Sequence, residues 1–520
     1  MSYSLHAFPT VCGQTLRALA RYPDRTAFIW PGGSLTYRGA TELIGRIQKV
    51  FIQLGLEPGT RVAFLTANRA DTWCAGVAAQ LSRLAITWLH PLGSLDDQLF
   101  QIEDSQAQVL VVDADAFRDR GGELAARTSN LRGLFTLGAA GYGIDLLAAV
   151  VAMGTVTPRD LASADDLATL NYTGGTTGKS KGALRHHREY GGFANAILAD
   201  FEIPDTPRYL AVAPISHVAG TKVLPTLMRG GTVHMLKGFD PEAVLKTIAR
   251  EHINFTLFVP TMIYVLLDHP QLDKTDLSSL ELLLYGASAM SPSRLVEGIE
   301  RIGPVFSQLY GQTECYPVSV LRKRDHDPKT PELFLSCGFP ISACDVRILD
   351  EADQEVATGE AGEICVRASH VMAEYWKRPE QTEETLKNGW LHTGDIARAD
   401  ERGYLFILDR KKDMIVSGGF NIFPREVEDV LSQHADVAMV AVVGVPDDKW
   451  GEAVTAIVVA REGTRPSAEE LINLVKSRKG SAHAPKHIKF VTELPMTGVG
   501  KVDKKLLKAG FWAGRDRMVG

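Results

Sequence analysis

The chain has 520 residues, a length that gives a prior of roughly three to four domains or subdomains rather than one core. With 45% hydrophobic and 23% charged residues, it has the balance of a globular protein able to bury a large interior. Acidic side chains outnumber basic ones by 62 to 56, a formal net charge of −6, which argues against nucleic acid as a partner because such partners demand a basic surface.

The first residues meet Arg17 and Asp24 too early to hold the apolar core of a secretory leader. No apolar run approaches the roughly 18 residues of a membrane span. Cys12, Cys74, Cys315, Cys337, Cys344 and Cys365 show no CxxC pair and no metal-ligand spacing. A reducing, cytoplasmic compartment is the expectation.

In chain order, Leu43, Ile47, Val50 and Leu54 recur at helical spacing, followed by a Pro58-Gly59 turn and a compact apolar run at 62–65. Similar runs at 109–112, 282–285 and 305–310 are separated by helix-sized segments, the pattern of a layered α/β fold with buried sheets. The segment 170–182, LNYTGGTTGKSKG, leads from a strand-like stretch into glycines, threonines and lysines. Glycine lets backbone N–H groups approach an anion, hydroxyls add donors and lysines add charge, so the loop reads as a phosphate cradle, with a flexible solvated loop as the bland alternative. It is not a P-loop: counting back from Gly178-Lys179-Ser180, the required first glycine falls on Thr173. A dinucleotide-binding Rossmann loop fails as well, because Gly174-Gly175-Thr176-Thr177-Gly178 does not fit GxGxxG.

Composition shifts near residue 410. A charged stretch passes through Gly418-Gly419 into a helix start, where Pro424 suits the first turn and Glu426 and Glu428 suit the positive end of the helix dipole. Strand-like VAMVAVVGV and AVTAIVVA, helical AEELINLVKSRKG and strand-like HIKFV complete a small α+β unit. The division is residues 1–410 and 411–520, with the Lys/Arg-rich junction as a candidate hinge.

The segment 172–182 resembles the YTSGTTGxPKG loop of the adenylate-forming acyl-CoA synthetases, relatives of luciferase and of peptide-synthetase adenylation domains. Gly175 stands for the usual Ser and Ser180 for the usual Pro. The resemblance runs over most of the chain with its motifs in order: YGQTE at 310–314, WLHTGDIARADERGYLFILDR at 390–410, and LPMTGVGKVDKKLL at 494–507. Alone, YGQTE is a strand-end turn with a solvated Glu, Asp395 a turn residue and Arg410 half of a surface ion pair; their joint order carries the functional reading.

The resemblance implies a large layered N-terminal α/β domain with several sheets and a small mobile α+β C-terminal domain. It assigns ATP or AMP binding to Thr173, Gly174, Gly175, Thr177, Gly178, Lys181, Gly286, Ala287, Tyr310, Gly311, Thr313, Asp395 and Arg410, with Asp395 accepting from both ribose hydroxyls. Lys501, Thr176 and Glu314 are the implied catalytic residues, Glu314 also the Mg2+ ligand. The acid pocket draws on His217, Gly220, Thr261 and Gly286; Gly418 and Gly419 lie where CoA passes, and Lys412 is the hinge.

The implied reaction joins a carboxylic acid to ATP as an acyl-adenylate, then passes the acyl group to the CoA thiol. The segment Ser216-His217-Val218 offers no carboxylate for an α-ammonium group, so an apolar acid, medium or long or cyclic, is expected rather than an amino acid. The alternatives are an acyl-AMP ligase that loads a carrier protein and a non-catalytic nucleotide-binding regulator. Homodimers are common among such relatives, and no nucleic-acid partner or integral membrane segment is expected.

Overall fold

The computed structural model of the chain describes residues 10–173, 180–288, 290–417, 420–447, 449–496 and 502–512. The alternating pattern folds into two large, mainly parallel sheets. One has nine strands, with the parallel centre Phe306–Tyr310, Leu282–Gly286, Phe255–Phe258, Arg208–Ala211, Thr232–Met235 and Thr26–Trp30. The other has eight, with Leu167–Tyr172, Ala85–Trp88, Arg61–Leu65, Val109–Asp113 and Gly133–Leu137 running parallel in that order. Strands such as Val109–Asp113 and Leu282–Gly286 are buried along their whole length, as near-continuous apolar runs require.

A single hydrophobic core takes residues from both sheets and from helices Val11–Arg21, Tyr37–Gln53 and Ala70–Leu81. Helix Ala70–Leu81 is buried on nearly every face, as a helix sandwiched between layers must be, and its sequence is mostly small and apolar, with Asp71 in its first turn paired to Arg69. Helix Tyr37–Gln53 starts where Thr36 Oγ1 accepts from the Gly39 amide at 3.0 Å. Its buried stripe is Tyr37, Ala40, Ile44, Ile47 and Phe51, whereas Leu43, Val50 and Leu54 from the sequence pattern are only partly buried against the core. The helix is where the spacing placed it, rotated by about one residue, because the face turned to helix Ala70–Leu81 wins over the longer aliphatic row.

A third, four-stranded antiparallel sheet is built from Cys344–Leu349, Gly362–Ala368, Leu391–Ala399 and Leu405–Arg410. After the short helical turn Lys411–Asp413, the smaller C-terminal sheet combines Ile415–Ser417, Phe420–Ile422, Val437–Asp447, Gly451–Ala460 and His487–Val491, flanked by helices Pro424–Leu431 and Ala468–Lys479. Pro424 sits in the first turn of its helix, and all six cysteines are unpaired. Among the described residues no helix is long and apolar enough to cross a membrane.

Candidate active site

Strand Leu167–Tyr172 does not lead into a helix. It pairs antiparallel with Gly182–His186, and the hairpin base is closed by the Thr173 amide donating to Lys181 O at 2.9 Å and the Lys181 amide to Thr173 Oγ1 at 3.2 Å. Gly174, Gly175, Thr176, Thr177 and Gly178 lie outside the described residues. Beside them, Ser180 Oγ is buried without a protein partner among the described residues, a hydroxyl with a proton to give.

Two motif segments sit at the carboxyl ends of parallel strands, where open α/β sheets place ligands. Gly286 and Ala287 end strand Leu282–Gly286; Tyr310 and Gly311 end Phe306–Tyr310. Gly286 is fully buried, and a Cβ there would lie 2.6 Å from Leu309 O, so its place is structural: it lets Ala287 turn into the cleft with φ 68°. At Gly311 a Cβ would meet the Tyr316 ring at 2.8 Å.

Asp395 and Arg410 face each other as cross-strand partners in the third sheet. Arg410 Nε sits 2.6 Å from Asp395 Oδ1, while Tyr310 Oη donates to Oδ2 at 2.6 Å and Gln312 Nε2 to the same oxygen at 2.5 Å. Burial, then the Asp395 charge, pushes the Tyr310 hydroxyl well above the usual tyrosine range, so it stays a donor. A carboxylate offers about four lone-pair sites. Two on Oδ2 and one on Oδ1 are taken, leaving one free on Oδ1. Accepting from both ribose hydroxyls therefore requires one present donor to yield.

Glu314 lines the same cleft and accepts a hydrogen bond from Tyr375 Oη, and Lys181 Nζ lies 4.0 Å from the centre of the Tyr375 ring. The Arg185 guanidinium donates to Thr313 O; burial lowers its pKa, partly opposed by nearby Cys315 and Glu314. Arg185 and Tyr375 join the site without any motif that contains them. Gln312 sits inside a motif already singled out; the other two are brought in by strand pairing alone, with no linear signal.

At the opposite end of the cleft, His217 lies against His90 with ring centres 4.4 Å apart, and Ser216 Oγ is 2.8 Å from its Nδ1. Burial, then the neighbouring His90, pulls His217 down to about 3, so its ring is neutral. A Cβ at Gly220 would lie 1.8 Å from Ile215 O, which explains glycine there. Thr261, in the first turn of helix Pro260–Leu267, also lines this wall. The whole cleft has a volume of about 2280 Å³, larger than the roughly 300–1,000 Å³ of a single small-ligand site.

The cleft continues past the junction to Lys412, Val416 and Lys504. Lys412 is in the exposed turn Lys411–Asp413. Asp409 Oδ2 accepts from the Arg425 amide at 2.8 Å, so the last strand before the junction caps the first helix after it. Lys508 Nζ lies 3.4 Å from Asp413. Gly418, Gly419 and Lys501 are outside the described residues; Met496 and Val502 pair as an isolated bridge flanking Lys501. The fold also gathers Cys315, Cys344 and His370, with donor atoms within 4.8 Å of one another, a cluster that no linear spacing signalled.

The AMP-binding enzyme family matches residues 16–376, and the AMP-binding enzyme C-terminal domain matches residues 426–501. The chain belongs to this adenylate-forming family and is an AMP-forming acid–thiol ligase of the acyl-CoA synthetase class. It is 42% identical over 528 residues to the medium/long-chain-fatty-acid–CoA ligase FadD8 of Mycobacterium tuberculosis, covering 98% of this chain and 92% of that one. It is 35% identical over 495 residues to a feruloyl-CoA synthase of Amycolatopsis, covering 94% and 96% respectively. Among solved structures, the amide bond synthetase McbA of Marinactinospora thermotolerans superposes with a TM-score of 0.89 at 32% identity, covering 96% of this chain and 100% of that one.

Proposed function

We propose that the protein activates an apolar carboxylic acid, of medium length or longer or carrying rings, through an acyl-adenylate to an acyl-CoA thioester. The observation that carries this reading is one cleft joining three kinds of surface. These are the Asp395–Arg410–Tyr310 group, the Glu314–Lys181 region beside the hairpin loop, and an apolar wall that includes Trp73, Trp88 and Leu224.

A carboxylate is a poor acyl donor because its oxygen leaves badly. Its attack on the α-phosphorus of ATP forms the mixed anhydride and releases pyrophosphate; the CoA thiol then attacks the acyl carbon and AMP departs. Three anionic groups must be held together, so positioning and charge screening are the main tasks. In this reading Lys181, Thr173 and Thr176 face phosphate, and the Ser180 hydroxyl, without a partner among the described residues, fits an anionic oxygen. Ala287, Gly311 and Thr313 leave room for the nucleotide, which Asp395 and Arg410 hold by its ribose side. Lys501 meets the charge developing at phosphorus.

The Glu314 carboxylate, a hard oxygen donor in the cleft, suits Mg2+, which when bound supplies positive charge against the phosphates. Tyr375 donates to one Glu314 oxygen and so orients that carboxylate. The neutral His217 ring, Gly220 and Thr261 shape the acid end. The large unit ends at Arg410 and the small unit turns about Lys412, bringing Gly418 and Gly419 to the CoA arm. Residence in the cytoplasm fits the six unpaired cysteines, and self-association as a dimer completes the reading.

The experiment is a pyrophosphate-release screen over acetate, amino acids and short, medium, long, aromatic and polycyclic acids with free CoA. Apolar acids without an α-amine should lead in kcat/KM. Acetate should be poor, because it forgoes about 0.8 kcal/mol for each methylene left unburied. A standard amino acid or acetate matching the best apolar acid would overturn the assignment.

A further inference from the structure

Three soft donors converge behind the wall of the cleft, drawn from separate segments of the chain. Cys344 opens strand Cys344–Leu349 and opposes Ala368 across the third sheet. Cys315 pairs with Val371 as an isolated bridge, and the Met372 amide donates to Glu314 O at 2.7 Å. These backbone pairings fix the segments that carry the two thiols and His370. One donor atom from each of the three lies within 4.8 Å of the others. Cys344 Sγ is 3.6 Å from His370 Nε2 and 3.5 Å from Pro317 O. Cys315 is 0% and His370 2% exposed, whereas Cys344 is partly exposed and opens the group to solvent.

Distance, charge and donor type agree on one class of ion. Zinc–sulfur bonds of about 2.3 Å and zinc–nitrogen bonds of about 2.0 Å set tetrahedral donor separations of about 3.5–3.8 Å. The 3.6 Å between Cys344 Sγ and His370 Nε2 already has that value, and the widest gap, at most 4.8 Å, needs to close by about 1 Å. Two thiolates and a neutral imidazole cancel the charge of a divalent cation, so the filled site is neutral and avoids the cost of a buried net charge. Sulfur and imidazole nitrogen select Zn2+ over the hard Mg2+ that the Glu314 carboxylate suits. Binding releases the two thiol protons. It also carries a cost. His370 Nε2 stands 2.7 Å from Pro317 O, and because a carbonyl only accepts, that nitrogen holds the ring proton. The ion takes its place, and the proton passes to Nδ1, which is buried without a partner among the described residues.

We propose that Cys315, Cys344 and His370 bind one Zn2+ ion, and that filling this site slows the ligase reaction. The coupling is short. Glu314 and Tyr316, on either side of Cys315, both line the cleft, as does His370. Drawing Cys315 toward the ion moves that turn, and the Glu314 carboxylate and Tyr316 ring move with it. Because the His370–Pro317 bond must break, the site fills and empties with free Zn2+ and is not a fixed structural staple. The effect on rate rests on the acid-activating reading above; the binding does not.

The test titrates the reduced, full-length protein with Zn2+ against a chromophoric chelator, in excess Mg2+ and without ATP. One site per chain should fill with a Kd of about 1 μM, weaker than the zinc sites that hold small domains folded. Cys344→Ser should weaken it by about a hundredfold or more. Cys365→Ser, which alters a thiol 3.4 Å from His392 but outside the cluster, should leave it unchanged. With Co2+ as the probe, a thiolate-to-metal charge-transfer band should appear in the wild type and vanish in Cys344→Ser. Zn2+ should also shield Cys315 and Cys344 together from iodoacetamide, read by peptide mass spectrometry, which needs no variant. Pyrophosphate release should fall about tenfold or more as the site fills, since a displacement near 1 Å in a reacting site is enough for that. Cys344→Ser should keep its rate at the same Zn2+ concentration.

The site is overturned if no Zn2+ binds at micromolar concentrations, if Cys344→Ser binds as the wild type does, or if Zn2+ shields other cysteines instead. Its effect on the reaction is overturned if the filled enzyme keeps its rate, or if Cys344→Ser is inhibited equally. Absence of pyrophosphate release from the Zn2+-free enzyme with any acid would instead overturn the ligase reading, and the binding result would stand.

Discussion

Asp395 ties together three side chains of the cleft. It is 3% exposed and takes donors from Tyr310, Gln312 and Arg410. Asp395→Asn keeps the shape but turns one acceptor oxygen into a donor that faces another donor. Each hydrogen bond to a charged group contributes about 1.5–3 kcal/mol, and with Arg410 partly exposed the loss should lie at the lower end. We expect KM for ATP to rise about tenfold or more, with a lowered melting temperature; unchanged ATP kinetics would remove Asp395 from the nucleotide site.

Cys344 offers a second test at this scale. Cys315, opposed by burial and aided by His370, pulls its thiol down to about 6, while Cys315 and Cys12 are pushed up. Cys344 is therefore expected to be the first cysteine alkylated by iodoacetamide at neutral pH, read by peptide mass spectrometry.

Much at this scale was legible in the sequence. Tyr310, Asp395 and Arg410 were named from motif order, and the structure brings the three together. Arg185 and Tyr375 were not legible, because strand Glu374–Tyr375 reaches the hairpin strand Gly182–His186 across nearly 190 residues of chain, a pairing no local pattern encodes.

At the scale of elements, apolar runs mark the parallel strands Arg61–Leu65, Val109–Asp113, Leu282–Gly286 and Phe306–Tyr310. Parallel strands are buried on both faces and write themselves as near-continuous apolar runs, whereas shorter strands such as Ala85–Trp88 and Arg208–Ala211 carry no such signal. The facing of helix Tyr37–Gln53 is not marked either, since two packed neighbours compete for its surface. Two substitutions test how elements form the site. Gly220→Ala places a Cβ 1.8 Å from a backbone oxygen that cannot rotate away, so the segment before helix Val223–Met228 must shift. A loss of about 1–3 kcal/mol and a raised KM for the acid are expected, measured by urea unfolding and acid titration; wild-type values would show that the segment yields freely.

Lys412→Pro fixes φ in the turn Lys411–Asp413 that joins the third sheet to the small unit. Adenylation should persist while transfer to CoA falls strongly, measured with acid plus ATP and, separately, with synthetic acyl-adenylate plus CoA. Equal retention of both steps would place the hinge elsewhere.

For the whole molecule, several buried histidines act together. His217 is pulled down to about 3, and His187, His234 and His326 to about 4, in each case first by burial. His326 shows the geometry: its Nδ1 lies 2.8 Å from Arg322 O and its Nε2 2.9 Å from Tyr285 Oη, so Nδ1–H donates to the carbonyl and neutral Nε2 accepts from the tyrosine. The unfolded chain binds a proton at each near pH 6.5, whereas the folded chain does not until about pH 4 or below, so unfolding takes up protons in that window. Stability is fully present above about pH 6.5 and falls as pH drops toward 4. Each histidine lowers stability at pH 5 by on the order of 1–2 kcal/mol relative to pH 7. The urea midpoint should therefore be clearly lower at pH 5 than at pH 7, and equal midpoints would contradict neutral burial.

One cleft holds Tyr310, Asp395, Arg410, Glu314, Lys181 and His217 together, and the proposed reaction runs through it in two steps with an acyl-adenylate between them. The most direct measurement is exchange of labelled pyrophosphate into ATP, with a medium-chain apolar acid present and CoA absent. The account predicts acid-dependent exchange without CoA, and release of AMP together with thioester once CoA is added. No exchange in the absence of CoA, or formation of ADP and phosphate in place of AMP and pyrophosphate, would contradict it.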